Sequence, residues 1–435
     1  MESKELLNIL LICCAVFSGG VSVSLLSPFY PKEALAKGVS VTCSGVVIGS
    51  VFISTVIFTP IAGKYVMVLG TRNTLVYGFV NVALGNISFG FLDHIQNKNV
   101  FFAFSILIRV LTAMGESAIA ASCFSLAEKQ VARAHRGKVI SVVESCFGIG
   151  TVFGPSLGGV LYDHGGFSVP FWTLGGLMLI LSVISAFYLQ QDSTELENPG
   201  YQRCVGWWEI LKSPGVMISL FALTFSSMGC NWYSASLGQF LWSRYKVTSS
   251  QTGLVFMLFG ITYTIFTPLF GIITDCYKER GLIMVMVGIT IIFVMAALMG
   301  PIPQLSLVAG HLWVTVLAIG LQGAGSAASY LGSLIHMLSG IQEGSLPNTD
   351  QTKGMVSSLW IVAICLGGYL GSSLGGMAFD KLGFEVGSLR VTLGLGFSVL
   401  MIGLSLMFRR FCTRRFSRGP LDHQEEDKGL LEAMA

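Results

Sequence analysis

The sequence predicts an all-α membrane protein of twelve transmembrane helices arranged as two six-helix, pseudo-symmetric halves. Three observations predict it. Hydrophobic residues make up 53% of the 435-residue chain and charged residues 11%, against roughly 25% charged in a soluble domain. Apolar runs of about 20 residues recur from one end to the other, each long enough to cross a hydrocarbon layer of roughly 30 Å. The third observation is a repeat. Gly150, Gly154, Pro155, Gly158 and Gly159 reappear in the same frame as Gly367, Gly371, Ser372, Gly375 and Gly376, and Asp163, Gly166 and Phe167 as Asp380, Gly383 and Phe384. A second echo relates Phe58, Thr59, Pro60 and Gly63 to Phe266, Thr267, Pro268 and Gly271. Two blocks in one order describe half a protein written twice, and duplicated apolar halves are a signature of membrane carriers. The runs are continuous rather than alternating, which excludes a transmembrane β-barrel.

Twelve spans follow in order. The first half, residues 1–190, holds runs near 6–29, 44–68, 73–92, 100–127, 138–161 and 169–190. The first contains no acid. The third carries Asn81 and Asn86, the fourth Arg109 and Glu116, and the fifth Glu144 ahead of the glycine frame. Residues 191–214 form the most polar internal stretch and read as a linker. It ends in Trp207-Trp208-Glu209, a pattern that anchors a short helix at the headgroup level. The second half, residues 215–408, holds runs near 215–241, 250–273, 281–300, 305–337, 354–378 and 388–408. Residues 409–435 form a polar tail.

Basic residues set the expected orientation. With twelve spans, Lys32, Lys37, Lys98, Arg244, Lys246, Lys381 and Arg390 fall opposite the chain ends, and Arg109 lies within a span. The other 18 of the 26 Lys and Arg share the side of the termini, which places both termini in the cytoplasm. The first run lacks a small-residue cleavage site and is expected to remain as a helix. The ten Cys lie mainly inside apolar runs, with no C-x-x-C, so neither a disulfide framework nor a metal site is expected. A net charge of +3 is too small to suggest nucleic acid. In the tail, Glu426 lies four residues before the pair Leu430-Leu431, a spacing that resembles the acidic dileucine signal read by vesicle-coat adaptors.

Ionisable groups inside apolar helices are costly and are read as functional by default. Arg109 lies about two turns into the fourth span. Glu116 follows seven residues later on the same helix face, roughly 10 Å further along the axis. Glu144 lies in the first third of the fifth span, where it can face Arg109 across a helix pair. A carboxylate made easier to protonate by burial and easier to ionise by a nearby Arg can load and release a proton near neutral pH. Further polar candidates for the pathway are Asn231, Tyr233 and Gln239 in the seventh span, Tyr263 in the eighth, and Gln322, Tyr330 and His336 in the tenth. Aromatic rings facing a cavity can hold an organic cation; interhelical hydrogen bonding is the plainer role of each. The glycine frames have a backbone rationale, because small residues at every fourth position let two helices approach closely, and Pro155 permits a bend.

The frame at Gly150–Gly159 resembles motif C of the major facilitator superfamily, found in the fifth helix of proton-coupled antiporters. Arg109 matches the embedded Arg of motif B, with Ala113 where that motif has Gly. Gly271 to Asp275 resembles the G-x-x-x-D core of motif A. In the first half, Gly63, Gly70 and Arg72 keep that motif's ends, while Met67 and Val68 replace its Asp-Arg pair. Within the superfamily the chain is most similar to the vesicular amine transporters, above all the polyamine-transporting branch. The similarity runs through Leu26–Ala34, Ile108-Arg109-Val110, Glu144, Gly166–Phe171, Gly253–Phe256, Gly300–Pro303 and the Leu-Leu tail. It implies proton-coupled antiport of an organic cation across a vesicle membrane by alternating access, with Glu144 as acceptor and Arg109 as its modulator. The monoamine and acetylcholine branches carry an Asp in the first helix, and this chain has none there.

The partners expected are a small organic cation, protons, the bilayer and coat adaptors, with no cofactor and with one chain sufficient for one pathway. Two rival readings are a facilitator for a neutral or anionic metabolite and a non-transporting receptor. No nucleophile–base spacing or phosphate loop suggests an enzyme.

Overall fold

A computed structural model describes residues 3–130, 136–189, 207–276, 281–299, 311–343 and 350–416. Its helices are α1 (Ser3–Ser24), α2 (Tyr30–Ala36), α3 (Val41–Leu69), α4 (Thr71–Gly90), α5 (Lys98–Gln130), α6 (Arg136–Gly165), α7 (Ser168–Tyr188), α8 (Trp207–Leu211), α9 (Pro214–Asn231), α10 (Leu237–Tyr245), α11 (Ser249–Cys276), α12 (Gly281–Met299), α13 (Leu312–Glu343) and α14 (Asp350–Phe416). Among the described residues, eight helices are long and apolar enough to cross a membrane. Side chains such as Phe187 (83% exposed), Leu400 (67%) and Leu393 (66%) stand on the outside of the bundle, a surface that lipid rather than water would cover.

The two halves repeat one another element by element. In the first, α4 packs between α5 and α7, and α1 lies against α6; in the second, α12 packs on α13 and α9 lies against α14. α14 contains two crossings joined at Gly383, whose φ is +77°; Gly166, between α6 and α7, has the same φ. That region is strained for any side chain, so both corners need glycine. Proline falls at equivalent points too, Pro60 inside α3 and Pro268 inside α11. The halves meet where α3 packs on α14 and α6 on α11.

Two predicted spans are corrected. The run 6–29 does not stay helical: α1 ends at Ser24 and the chain turns through Leu25–Phe29 before α2. The run 215–241 breaks in the same way, with α9 ending at Asn231 and a turn through Trp232–Ser236 leading into α10. The apolar signal carries on because these turns are buried: Leu25, Leu26, Phe29 and Trp232 are each at most 1% exposed. Pro28 also disfavours helical geometry at Ser27.

The glycine frames do what close packing requires. A Cβ at Gly150 would collide with the carbonyl of Phe17 on α1, and one at Gly158 with that of Leu25; at Gly154 it would meet Val21 and the Ser24 hydroxyl. In the second half, Gly367, Gly371 and Gly375 meet the carbonyls of Thr224, Met228 and Trp232 in turn. Pro155 stands inside α6, its carbonyl against Gly253 of α11, and Gly159 abuts Ser249. At the opposite ends of α3 and α11 the glycines are less crowded. A Cβ added at Gly63 would find nothing within 4 Å, nor would one at Gly70, which caps α3 at φ +81°, and one at Gly271 would stand 4.0 Å from Leu331. Tyr65, Met67, Val68, Leu269, Ile272 and Ile273 are all exposed there. Among the described residues, the halves therefore approach most closely on the face away from the chain ends, called here the far face, and leave more exposed side chains on the face that carries them.

Candidate functional site

Helices stack with their polar residues turned inward, and in the first half these converge on Ser22 of α1. Ser22 is fully buried. Its hydroxyl donates to Glu116 Oε1 at 2.7 Å. Its carbonyl accepts from Arg109 Nη1 at 3.3 Å, and the next carbonyl, Val23 O, accepts from Arg109 Nη2 at 3.3 Å. Asn86 of α4 donates to Val82 O at 2.9 Å and to Ser22 Oγ at 3.4 Å. Asn81 lies beside Gly115, the residue before Glu116. Arg109 and Glu116 do share a helix face, as their seven-residue spacing predicts, and both address the same residue of α1.

The cluster is not saturated. Arg109 is 2% exposed, and its Nε has no hydrogen-bond partner among the described residues. Glu116 Oε2 and Asn81 Oδ1 are likewise buried without a partner. One carboxylate oxygen is thus held by a hydroxyl while the other is left for a proton or a ligand cation. A buried carboxylate needs one or the other, because leaving it bare costs several kcal/mol. Glu144 lies on α6, and its side chain, with the expected pairing to Arg109, falls outside the described residues. The same holds for the side chain of Asp275 and for Glu426, Leu430 and Leu431.

The second half presents the same positions without charge. Gln322 of α13 is fully buried and donates from Nε2 to Gly229 O of α9 at 2.7 Å. Seven residues on, Ser329 Oγ lies 2.6 Å from Ser226 Oγ, and seven further, His336 Nδ1 lies 2.6 Å from Ser219 Oγ. Cys230 Sγ is 2.8 Å from Ser326 Oγ. This polar seam joins α9 to α13. Beside it, the Tyr330 ring stands edge-on to Tyr263 (6.2 Å) and Trp360 (6.4 Å), and Trp360 Nε1 donates to the Tyr330 carbonyl.

Other predicted residues lie elsewhere. Asn231 donates to Ser227 O on its own helix at 3.0 Å. Tyr233 is buried in the turn after α9, stacked on Phe256 and edge-on to Phe259. Gln239 is buried on α10. The residue that sequence reasoning missed is Ser22. Its only signal was its place in an apolar run with no acid, 6–29, opposite the run 100–127 with its two charged groups, Arg109 and Glu116. Among the described residues no group of three or more His, Cys, Asp or Glu could hold a metal.

Comparison with known proteins bears on the family and the fold. The family model of the Major Facilitator Superfamily matches residues 12–242 and 219–433, once for each half. The MFS-type transporter SLC18B1 of Mus musculus is 28% identical over 432 residues, covering 99% of this chain and 93% of that protein. The synaptic vesicular amine transporter of Homo sapiens is 26% identical over 362 residues, covering 82% of this chain and 65% of that protein. Among solved structures, a bacterial homolog of the human lysosomal transporter Spinster, inward-facing and occupied, superposes with a TM-score of 0.73 at 14% identity, over 94% of this chain and 98% of that one.

Proposed function

The chain belongs to the major facilitator superfamily and is a membrane transporter; from that premise we propose that it exchanges protons for an organic cation of the polyamine kind. The observation that carries this reading is the Ser22-centred cluster, in which a buried Glu116 keeps one oxygen unpartnered close to a buried Arg109. An ammonium group and a proton compete for such an oxygen. With the halves parted on the terminal face, taken as cytoplasmic, Glu116 gives up its proton and accepts the substrate ammonium. After the halves rock, a proton from the acidic far side displaces the cation. Arg109, bonded to the carbonyls of Ser22 and Val23, places its positive charge beside the exchange site. Glu144, one helix away on α6, is the second acid available to this cycle.

The vesicular amine transporters among the relatives support the organic-cation class and a vesicle membrane. The Tyr330, Tyr263 and Trp360 rings on the opposite half suit a cation's alkyl and ammonium groups. The tail signal at Glu426, Leu430 and Leu431 fits vesicle sorting by coat adaptors.

The test is uptake of radiolabelled spermidine into proteoliposomes with an acidic interior, with and without a protonophore, for the unmodified protein and Glu116→Gln. Protonophore-sensitive accumulation that falls more than tenfold in Glu116→Gln is the expected result. Uptake insensitive to the protonophore points to a facilitator. Unchanged accumulation in the variant removes Glu116 from the cycle.

A further inference from the structure

On the far face the halves are joined twice by one device. At the end of α6, the Asp163 carboxylate accepts from the Ser250 backbone N–H at 2.7 Å and from its hydroxyl at 2.5 Å. Ser250 lies in the first turn of α11, in the other half. At the equivalent point of α14, Asp380 accepts from the Thr42 N–H at 2.7 Å, the Thr42 hydroxyl at 2.6 Å and the Val41 N–H at 3.2 Å. Val41 and Thr42 open α3, in the first half. Each carboxylate therefore serves N–H groups that a helix start leaves without an intrahelical partner, and sits at the positive end of that helix. The donor halves are reciprocal: each half offers one Asp and receives one.

Backbone packing beside each Asp is equally close. A Cβ at Gly159 would strike the Ser249 carbonyl, and one at Gly376 the Val41 carbonyl. A third contact crosses the same face, where the Lys32 ammonium of α2 lies 5.6 Å from the ring centres of both Tyr162 and Trp242, the latter on α10. A single polar contact would leave the halves free to pivot about it. Two contacts, on either side of the pseudo-twofold axis, fix the angle between the halves.

We infer that Asp163 and Asp380 form a paired latch that holds the far face shut while the terminal face is open. Both carboxylates leave their helix starts when the protein rocks to its far-face-open state. The latch belongs to the rocking motion of the fold and does not depend on which substrate is carried.

The experiment measures electron–electron distances between spin labels at Gln96 and Ser243, exposed far-face positions on opposite halves. It uses full-length, otherwise cysteine-free protein with no substrate added. Asp163→Ala with Asp380→Ala is expected to raise the long-distance population on the order of tenfold, as loss of two helix-start contacts would, with each single variant in between. A distribution identical to the unmutated protein's overturns the latch. If the double alanine variant does not run as a single monodisperse species, Asp163→Asn with Asp380→Asn removes the charge at nearly constant volume and is read in the same way. Because no transport is measured, failure here is separate from failure of the proton–cation exchange.

Discussion

The two halves share a backbone and differ in charge. Gly154 meets Val21 and Gly371 meets Met228, so the next residues, Ser22 and Gly229, stand at equivalent points. Each of their carbonyls accepts a side-chain hydrogen bond from the neighbouring helix, from Arg109 in one half and Gln322 in the other. Seven residues further on, Glu116 bonds the Ser22 hydroxyl where Ser329 pairs with Ser226. Duplication thus fixed a hydrogen-bond geometry, with Arg109 and Glu116 at two points where the second half has Gln322 and Ser329. The lesson is that the repeat supplies the machine that rocks, while the asymmetry supplies the chemistry: an acid and a base in the first half, and hydroxyls, an amide, the His336 imidazole and aromatic rings in the second.

If the backbone frame is what the halves share, breaking it in either half should cost the same. Gly150→Leu and Gly367→Leu each force a side chain against a carbonyl of the facing helix, Phe17 or Thr224. Both should lower the melting temperature strongly in detergent, since overpacking costs about 1–3 kcal/mol or more. Gly63→Ala, with open space around it, should be nearly silent in the same melt. A large effect confined to one half would break the equivalence.

If charge is what the halves do not share, exchanging it should act on transport alone. Arg109→Gln gives the first half the amide of the second, which can still donate to Ser22 O. It should stay folded yet lose roughly tenfold in uptake driven by a pH gradient. Gln322→Ala removes one buried hydrogen bond to Gly229 O, worth about 1 kcal/mol of stability. It should remain fully proton-driven. Equal loss of coupling in both variants would mean that the electrostatics of the halves are more alike than their residues.

The repeat, the glycine frames and the buried Arg–Glu spacing were legible in the sequence because each follows from a local rule: span length, close helix approach, helix periodicity. Asp163 and Asp380 were visible as a repeated pair, but their role was not. Their partners, Ser250 and Thr42, lie in the opposite half, and no local pattern says which helix start a carboxylate will meet. The breaks after Ser24 and Asn231 were hidden for a related reason. Their turns are buried among neighbouring helices, so burial extends the apolar run through backbone that is not helical. Ser22 gave only a weak signal, its place opposite the charged fourth span, because a hydroxyl is common in such helices, and only the three groups gathered on it make it distinctive.

The smallest expected effect concerns pH, and it separates the latch from the first-half acid. Burial pushes the Asp163 carboxyl up, but hydrogen bonds from Ser250 and Ser249 outweigh it and hold the group below its ordinary value. A carboxylate depressed in this way contributes fully above the ordinary Asp pKa of about 3.9. Its contribution is lost only as pH falls through the lower, bonded value. Acidifying from about pH 7.5 to about 5.5 stays above both values, so the Asp163 contact should persist. The Gln96–Ser243 distance distribution should accordingly be the same at both pH values, while spermidine uptake changes over that window and ceases to do so in Glu116→Gln. A far face that opened in that range with Asp163 intact would place a proton switch in the latch itself, and the charge asymmetry between the halves would no longer account for coupling.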